Sequence, residues 1–306
     1  MEHRIVFLLP YFGKWPEWID LFFHSCSHTR FIDFYLFTDC PLPHKQYDNI
    51  FFHTISFPDY CQLVSQRLGI RFEHEKPYKL CDLKPFYGII HEDIAARYDY
   101  WAFGDCDLVF GDMSPVKRLL DKRYALITTH SFRIAGHFTC IKRDSRYHKL
   151  CFNIRDWRKK LEHTRNYSLD ELDWSERIYP ELKAIKLFHK VVRRVYRKGY
   201  LHFLNRINPL FCNSLTRRHF FEYDTTPEPT DYTRQWRYDP ALGKVYDPAG
   251  KSLIYLHFLF FKKTPYLATE NYWRPGFYQI PSGTDFDALR GWAVVFDNQT
   301  VKLEKK

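Results

Sequence analysis

Two carboxylates one residue apart stand near the middle of the chain, between two apolar runs. Asp105 and Asp107 lie within residues 100–112, whose other residues are mostly apolar and typical of buried strands. Side chains at positions i and i+2 of a strand point to the same side, so we expect both carboxylates to face one point at a strand end. A divalent cation held by one or two carboxylates completes its coordination with water and phosphate oxygens. The pattern therefore indicates a site for a metal ion and a nucleotide diphosphate.

The chain contains a second Asp-x-Asp pattern, Asp285 and Asp287, and so short a motif arises easily by chance. The second pair follows Pro-Ser-Gly-Thr at residues 281–284, which is typical of a turn. Only the first pair lies between two strand-like runs. We therefore assign the metal to Asp105 and Asp107.

A strand-like run near the C-terminus, residues 253–263, carries a histidine and, six residues later, a lysine. The neutral imidazole of His257 can act as a third metal ligand. The ammonium group of Lys263, or of the neighbouring Lys262, can neutralise a departing diphosphate. Both residue types suit the site that the two carboxylates begin.

These motifs resemble those of GT-A-type glycosyltransferases, in which a DXD motif binds the metal and the nucleotide sugar. His257 and Lys263 resemble the late His-x5-Lys element of the family 8 retaining enzymes, without the Gly and Pro-Trp that usually accompany it. The resemblance implies an α/β fold: a GT-A-type, Rossmann-like mixed sheet flanked by helices, with a helical elaboration on the acceptor side. It also implies a UDP-sugar donor and Mn2+, or alternatively Mg2+, held by Asp107, His257 and Asp105. Asp105 binds either the metal or the ribose.

The N-terminal part of the chain shows strand and helix patterns that agree with this resemblance. Residues 4–10 read as a strand that opens into a Pro/Gly loop, residues 16–23 as a helix, and residues 34–39 as a second strand. Ligands of open α/β sheets bind outside the carboxyl ends of the strands. The residues expected to border the base and ribose are Pro10, Tyr11, Phe12, Thr38 and Asp39.

Lys79 and Asp82 resemble the Lys-x2-Asp element of many glycosyltransferases, where a helix before the DXD strand contacts the nucleotide. On a helix these two positions share one face. The alternative interpretation is a solvated helical ion pair of the common, weak kind.

Residues 134–143 resemble the segment that closes over the donor sugar in these enzymes. Gly136 permits a close approach of the backbone. His137 either contacts the donor or is a half-buried strand histidine.

Residues 168–175 resemble the acidic element on the acceptor side of such enzymes. Asp170 and Glu171 are the candidate catalytic carboxylates there. Ser168 followed by Glu171 is also a capping box, so Glu171 alternatively begins a helix. The His-x5-Lys similarity favours retention, whereas inversion requires a general base, for which Asp170, Glu171 and Asp173 are the candidates.

Length and composition are those of a well-packed globular enzyme. The 306 residues suit a single domain, with a nucleotide-sugar half at about 1–145 and an acceptor-side half at about 146–306. Hydrophobic residues make up 45% of the chain, but no apolar run approaches the roughly 20 residues that span a bilayer. The eight cysteines show no C-x-x-C pair and favour a reducing compartment. We therefore expect a cytoplasmic location.

The net charge of +10 is distributed unevenly. Residues 183–198 place apolar and basic side chains on opposite faces of a helical pattern. Such a helix either lies on an anionic membrane surface, which would make the protein peripheral to the inner face of the membrane, or packs on the core with a solvated basic face.

The function that these patterns favour is transfer of a sugar to a carbohydrate or lipid-linked glycan acceptor in cell-surface polysaccharide synthesis. A metal-dependent phosphohydrolase and a noncatalytic glycan- or membrane-binding module are the alternatives. Two-metal hydrolases need more clustered ligands than the sequence offers, and no nucleic-acid-binding motif stands out.

Overall fold

The computed structural model describes residues 4–130, 133–179, 234–259, 276–297 and 300–306. The predicted basic helix at 183–198 and the two candidate lysines, Lys262 and Lys263, lie outside these ranges.

The described ranges contain strands and helices in alternation in the first half of the chain and mostly strands in the last part. The strands are β1 (Ile5–Pro10), β2 (Ile32–Thr38), β3 (Ile50–Thr54), β4 (Tyr100–Gly104), β5 (Leu108–Phe110), β6 (Leu126–Thr128), β7 (Phe138–Lys142), β8 (Trp236–Asp239), β9 (Lys244–Tyr246), β10 (Ser252–Leu253), β11 (Tyr255–His257), β12 (Trp292–Phe296) and β13 (Val301–Lys305). The α-helices are α1 (Ile19–Ser27), α2 (Phe57–Leu68), α3 (Tyr87–Ile90), α4 (Glu92–Ala95), α5 (Ser114–Asp121), α6 (Trp157–Glu162) and α7 (Ser175–Ile178). A 3-10 helix spans Pro77–Phe86 and a π-helix spans Asp170–Trp174.

The main sheet has six strands in the order β3-β2-β1-β4-β7-β6. The first four strands of this order run parallel, whereas β7 is antiparallel to both β4 and β6. The prediction of an α/β protein with a mixed sheet is therefore confirmed. Because β1 and β4 are parallel neighbours, the segments that follow their carboxyl ends leave the same edge of the sheet.

The main sheet is buried on both faces, which explains why its central strands are almost wholly apolar. Along β1, Val6 and Leu8 join the core on the α2 side, whereas Phe7 and Leu9 join the core that contains Phe22 of α1. This alternation is the period of two expected for a strand. The predicted first strand, the helix after it and the second strand are confirmed as β1, α1 and β2.

The C-terminal part adds a five-stranded antiparallel sheet in the order β10-β9-β8-β12-β13. The strand-like run predicted from residue 253 is interrupted at Ile254: β10 pairs with β9, whereas β11 pairs with β5. A third core cluster contains Trp18, directly before α1, and Val109 of β5 together with Val294 of β12. The N-terminal and C-terminal parts of the described chain thus share one apolar core.

None of the helices in the described ranges combines the length and the apolar character needed to cross a membrane.

The buried histidines make the stability of the fold dependent on pH, and His91 is the clearest example. Its ring stacks on Phe37 at 3.9 Å, and its Nε2 lies 2.9 Å from the Tyr60 hydroxyl. Burial lowers the pKa of His91 from 6.5 to about 3. The unfolded chain therefore takes up a proton that the folded chain excludes, and stability is lost as pH falls from about 6.5 towards 3.

We predict that His91→Gln flattens the fall in the free energy of unfolding between pH 7 and pH 4, by up to about 1.4 kcal/mol per pH unit. Urea denaturation at several pH values measures this slope. His44→Gln, at an exposed histidine, is the matched control and should leave the slope unchanged. Equal slopes in His91→Gln and the wild type would contradict the prediction.

Candidate metal centre

Asp105, Asp107 and His257 come together at one edge of the main sheet. Each offers a ligand atom, and these atoms all lie within 4.8 Å of one another. His257 Nε2 lies 3.4 Å from Asp107 Oδ1. Two carboxylates and one imidazole are a donor set that suits a divalent metal such as Mn2+ or Zn2+. The three residues predicted to share a metal thus form a group that can hold one.

The turn between β4 and β5 carries both carboxylates. Asp105 follows the last residue of β4, and Asp107 directly precedes β5. The two carboxylates face one point, as expected, but they do so from a bend at Cys106 between two strands and not from one continuous strand. The pairing of β11 with β5 supplies the third residue: His257 is opposite Leu108, and the Phe258 amide donates to the Asp107 carbonyl at 3.2 Å.

Gly104, the last residue of β4, allows the neighbouring strand to come unusually close. A Cβ at this position would lie 2.2 Å from the carbonyl oxygen of His137 and 2.7 Å from the Phe7 ring. The same carbonyl accepts from the Asp105 amide at 3.3 Å. A side chain at residue 104 would therefore displace the backbone that carries Asp105.

A cavity of about 620 Å³ opens onto the metal group. Most of the site residues predicted from sequence line this cavity: Pro10, Tyr11, Phe12, Asp105, Asp107, Gly136, His137, Asp170, Glu171 and His257. The other predicted nucleotide-binding residues in the described ranges do not line the cavity. They are Thr38, Asp39, Lys79 and Asp82.

Thr38 and Asp39 shape the loop that borders the cavity. The Asp39 carboxylate accepts from the Gly13 amide at 2.7 Å, and Gly13 has a φ of 101°, which favours glycine. Thr38 is fully buried, and its hydroxyl accepts from the Cys40 amide at 3.0 Å. These contacts hold the loop that carries Tyr11, whereas Thr38 and Asp39 themselves do not line the cavity.

Lys79 and Asp82 form a buried ion pair at 2.8 Å on the 3-10 helix. Lys79 also donates to two backbone carbonyls, those of Lys160 and Arg165, at 2.7 and 2.6 Å. Asp82 accepts from the backbone amides of Tyr167 and Leu169. The alternative of a solvated pair is therefore wrong, and the pair instead anchors the segment that leads to Asp170 and Glu171.

Lys84, two residues beyond Asp82, is the functional candidate that sequence reasoning missed. Its ammonium is buried and donates to Asp105 Oδ1 at 2.6 Å and to the Gly136 carbonyl at 2.9 Å. Burial opposes the charge most strongly, but the nearby Asp105 and Asp170 carboxylates and the Cys81 thiol together outweigh it and raise the pKa of Lys84. Lys84 therefore brings a permanent positive charge to a cavity otherwise rich in carboxylates. Its position in the sequence could have indicated a role, because it lies five residues after Lys79 in the segment that precedes the DXD strand.

The acidic pair on the far side of the cavity lies on the π-helix. A Cβ at Gly136 would lie 2.8 Å from Asp170 Oδ2 and 3.1 Å from Glu171 Oε1, so a side chain at this position would displace the two carboxylates. Burial raises the pKa of Asp170 to about 7, although the Lys84 ammonium opposes this change. Asp170 therefore exchanges a proton near neutral pH.

The capping-box interpretation of Ser168 and Glu171 is wrong. Ser168 has a φ of 52°, and the side chain of Glu171 turns towards the Gly136 amide at 3.4 Å and Arg133 Nη1 at 3.4 Å. A π-helix is uncommon and is frequently found at functional sites. Here it carries the acidic pair into the cavity.

His137 is buried at the cavity wall, directly before β7. Its Nε2 lies 2.9 Å from the Tyr255 hydroxyl, and its ring stacks on that of His257. The alternative of a half-buried strand histidine is therefore wrong.

A family model covers residues 7–226 of the chain and is described as a family of unknown function, DUF6625. The chain belongs to this family. The matched range contains Asp105, Asp107 and the acidic pair on the π-helix, and it ends before His257. A comparison with curated proteins finds no match.

We predict that Asp107→Asn weakens Mn2+ binding at least about tenfold, because it replaces a charged ligand by a neutral one. Isothermal titration calorimetry with Mn2+ measures the change, and thermal unfolding in EDTA checks the fold. Asp285→Asn is the matched control. The exposed Asp285 and Asp287 both bind Lys45 in the structure, so this variant should keep the wild-type affinity. Equal losses in both variants would contradict the assignment.

We predict that Lys79→Met destabilises the protein by about 3–5 kcal/mol, because the buried Asp82 carboxylate loses its counter-charge. Urea denaturation at pH 7 measures the loss. Lys159→Met, at an exposed lysine of α6, should cost much less. A similar small loss in both variants would contradict the anchoring role.

Proposed function

We propose that the protein is a metal-dependent glycosyltransferase that moves a sugar from a nucleotide-diphosphate donor, most simply a UDP-sugar, to a glycan acceptor. The observation that carries the proposal is the group of Asp105, Asp107 and His257, which opens onto a cavity wide enough for a nucleotide sugar.

The position of the group in the fold supports the proposal. It follows the carboxyl end of β4, beside the loop that follows the parallel strand β1. Open α/β sheets bind their ligands in the crevice outside these strand ends. Pro10, Tyr11 and Phe12 provide an apolar wall there, and the Tyr11 ring is stacked on Trp15 at 5.0 Å. A mixed sheet with helices on both faces is also what a GT-A-type fold requires.

The side chains divide the work at the donor between them. Asp107 and His257 would hold the metal, and Asp105, oriented by Lys84, would hold the metal or the ribose. A bound Mn2+ or Mg2+ would stabilise negative charge on the leaving diphosphate. Lys263 retains its proposed role in neutralising the same charge.

Asp170 and Glu171 are suited to the acceptor side. Asp170 is the buried carboxylate whose pKa of about 7 fits a general base at neutral pH. It would take the proton of the acceptor hydroxyl if the reaction inverts, and it would orient that hydroxyl if the reaction retains. We further propose a glycan or lipid-linked glycan acceptor of a cell-surface polysaccharide pathway, a cytoplasmic location, and contact with an anionic membrane through residues 183–198.

The distribution of metal-binding groups favours a transferase over a two-metal hydrolase. Among the described residues, Asp105, Asp107 and His257 form one group of three potential ligands. A two-metal site holds its ions about 3.5–4 Å apart, so it needs a second set of ligands for the second ion.

We predict that UDP-sugars raise the melting temperature of the protein only when Mn2+ is present, because a ligand that binds the folded state stabilises it by mass action. A thermal-shift screen of nucleotide sugars with Mn2+ or with EDTA measures this effect. Asp107→Asn should lose the shift and Asp285→Asn should retain it.

The nucleotide released by the best donor distinguishes the two activities. A transferase releases UDP faster when an acceptor glycan is added, whereas a phosphohydrolase yields UMP or phosphate without one. Absence of any Mn2+-dependent shift across UDP-, GDP- and CMP-sugars would contradict the proposal.

A further inference from the structure

Three aromatic rings lie in sequence beside the metal group. The His137 ring stacks on the His257 ring with a centroid separation of 4.1 Å and an interplanar angle of 21°. The His130 ring lies 4.9 Å from the His137 ring at an interplanar angle of 56°. His137 and His257 are 3% and 4% exposed, so the stack is closed to bulk solvent.

The edge of the His137 ring is also held. Its Nε2 lies 2.9 Å from the Tyr255 hydroxyl and 3.5 Å from Thr129 Oγ1. Tyr255 donates its own hydroxyl proton to Thr129, which leaves the hydroxyl oxygen to accept from His137. Tyr255 and His257 are both on β11, two residues apart, so their side chains point to the same side of the strand.

This arrangement limits the rotation of the His257 ring. One face of the ring is covered by His137, and His137 cannot move aside without losing its contact with Tyr255. The direction of His257 Nε2, which lies 3.4 Å from Asp107 Oδ1, is therefore determined by a neighbour that is not itself a member of the metal group. Outer contacts of this kind orient the ligand and tune the affinity of a metal site.

We propose that His137 is a positioning residue for the metal centre: it holds the His257 imidazole in the orientation that binds the metal, through its ring face, while Tyr255 fixes its edge. The inference rests on the proposed metal-dependent function and assigns His137 a role other than donor contact. A role as a fourth ligand does not fit the geometry, because His137 is not among the residues whose ligand atoms lie within 4.8 Å of one another, and its Nε2 is directed at Tyr255.

Substitutions at residue 137 separate the effect of the ring from that of its nitrogen atoms. His137→Ala removes the stack and should weaken Mn2+ binding by about 10- to 100-fold. His137→Phe keeps an aromatic face against His257 and should restore most of the affinity. Tyr255→Phe keeps β11 intact but frees the edge of His137, and its affinity should fall between the two. Calorimetric titration with Mn2+ measures all three.

Electron spin-echo spectroscopy of bound Mn2+ provides a readout that a general loss of stability would not change. The nitrogen modulation should correspond to one imidazole in the wild type and in His137→Phe, and it should disappear in His257→Ala. His91→Phe is the matched control, because His91 is likewise buried and stacked on an aromatic ring but does not line the cavity. Its Mn2+ affinity should equal that of the wild type.

The outcomes distinguish this inference from the function on which it rests. Wild-type Mn2+ affinity in folded His137→Ala, or a loss in His137→Phe as large as in His137→Ala, would overturn the positioning role alone. A nitrogen signal halved by His137→Phe would identify His137 as a ligand and overturn it as well. Failure of the wild type to bind Mn2+ through His257 would overturn the metal centre itself, and the positioning role with it.

Discussion

The antiparallel pairing of β5 with β11 is the interaction on which the rest of the site depends. It joins residues 108–110 to residues 255–257, about half of the chain apart in sequence. Each backbone hydrogen bond in such a ladder contributes little by itself, about 1 kcal/mol. The pair is stabilised chiefly by burial, because Val109, Leu256 and Tyr255 are all inaccessible to solvent. Register then matters: a shift by one residue would turn His257 away from Asp107 and expose apolar side chains on the other face.

The second constraint is electrostatic, because the cavity gathers four carboxylates from two parts of the chain, the turn between β4 and β5 and the π-helix. Two such charges about 5 Å apart repel each other by roughly 3 kcal/mol at an effective dielectric constant of about 20. Lys84 offsets part of this repulsion by contacting Asp105 directly while lying close enough to Asp170 to affect its pKa. The raised pKa of Asp170 relieves another part, since a protonated carboxyl carries no charge. A divalent cation at Asp105 and Asp107 would remove most of the remainder, which is a physical reason for the site to bind one.

The same 3-10 helix carries a buried ion pair that stabilises the fold and a lysine that contacts the candidate metal site. Lys79 and Asp82 point away from the cavity and anchor the segment before the π-helix, whereas Lys84 points into the cavity. Lys79 and Asp82 therefore help to position Asp170 and Glu171, because they hold the segment that leads into the π-helix. His137 stands in a similar relation to His257: neither its charge nor its nitrogen atoms are needed at the metal, but the placement of its ring is.

The sequence by itself determined the local features whose cause is local. The apolar runs of β1, β2 and β4 predicted buried strands, and the boundary between apolar and acidic residues at Asp105 predicted where the main sheet would end. The residue types of Asp105, Asp107 and His257 were sufficient to predict that they suit a metal, because ligand preference is a property of the side chain. The choice between the two Asp-x-Asp patterns also followed from local context.

Only the tertiary structure decided which long-range partners these residues meet. The burial of Lys79 and Asp82, the approach of Lys84 to Asp105 and the stacking of His137 on His257 each join segments between 21 and 120 residues apart or depend on the packing around them. A Lys and an Asp three residues apart on a helix can form either a solvated or a buried ion pair. The spacing does not predict which, because burial depends on the segments that pack against that face of the helix. For the same reason the turn at Cys106 and the π-helix at Asp170 were not evident in the sequence: the turn leads into a strand that pairs with distant β11, and the π-helix packs its carboxylates against distant Gly136.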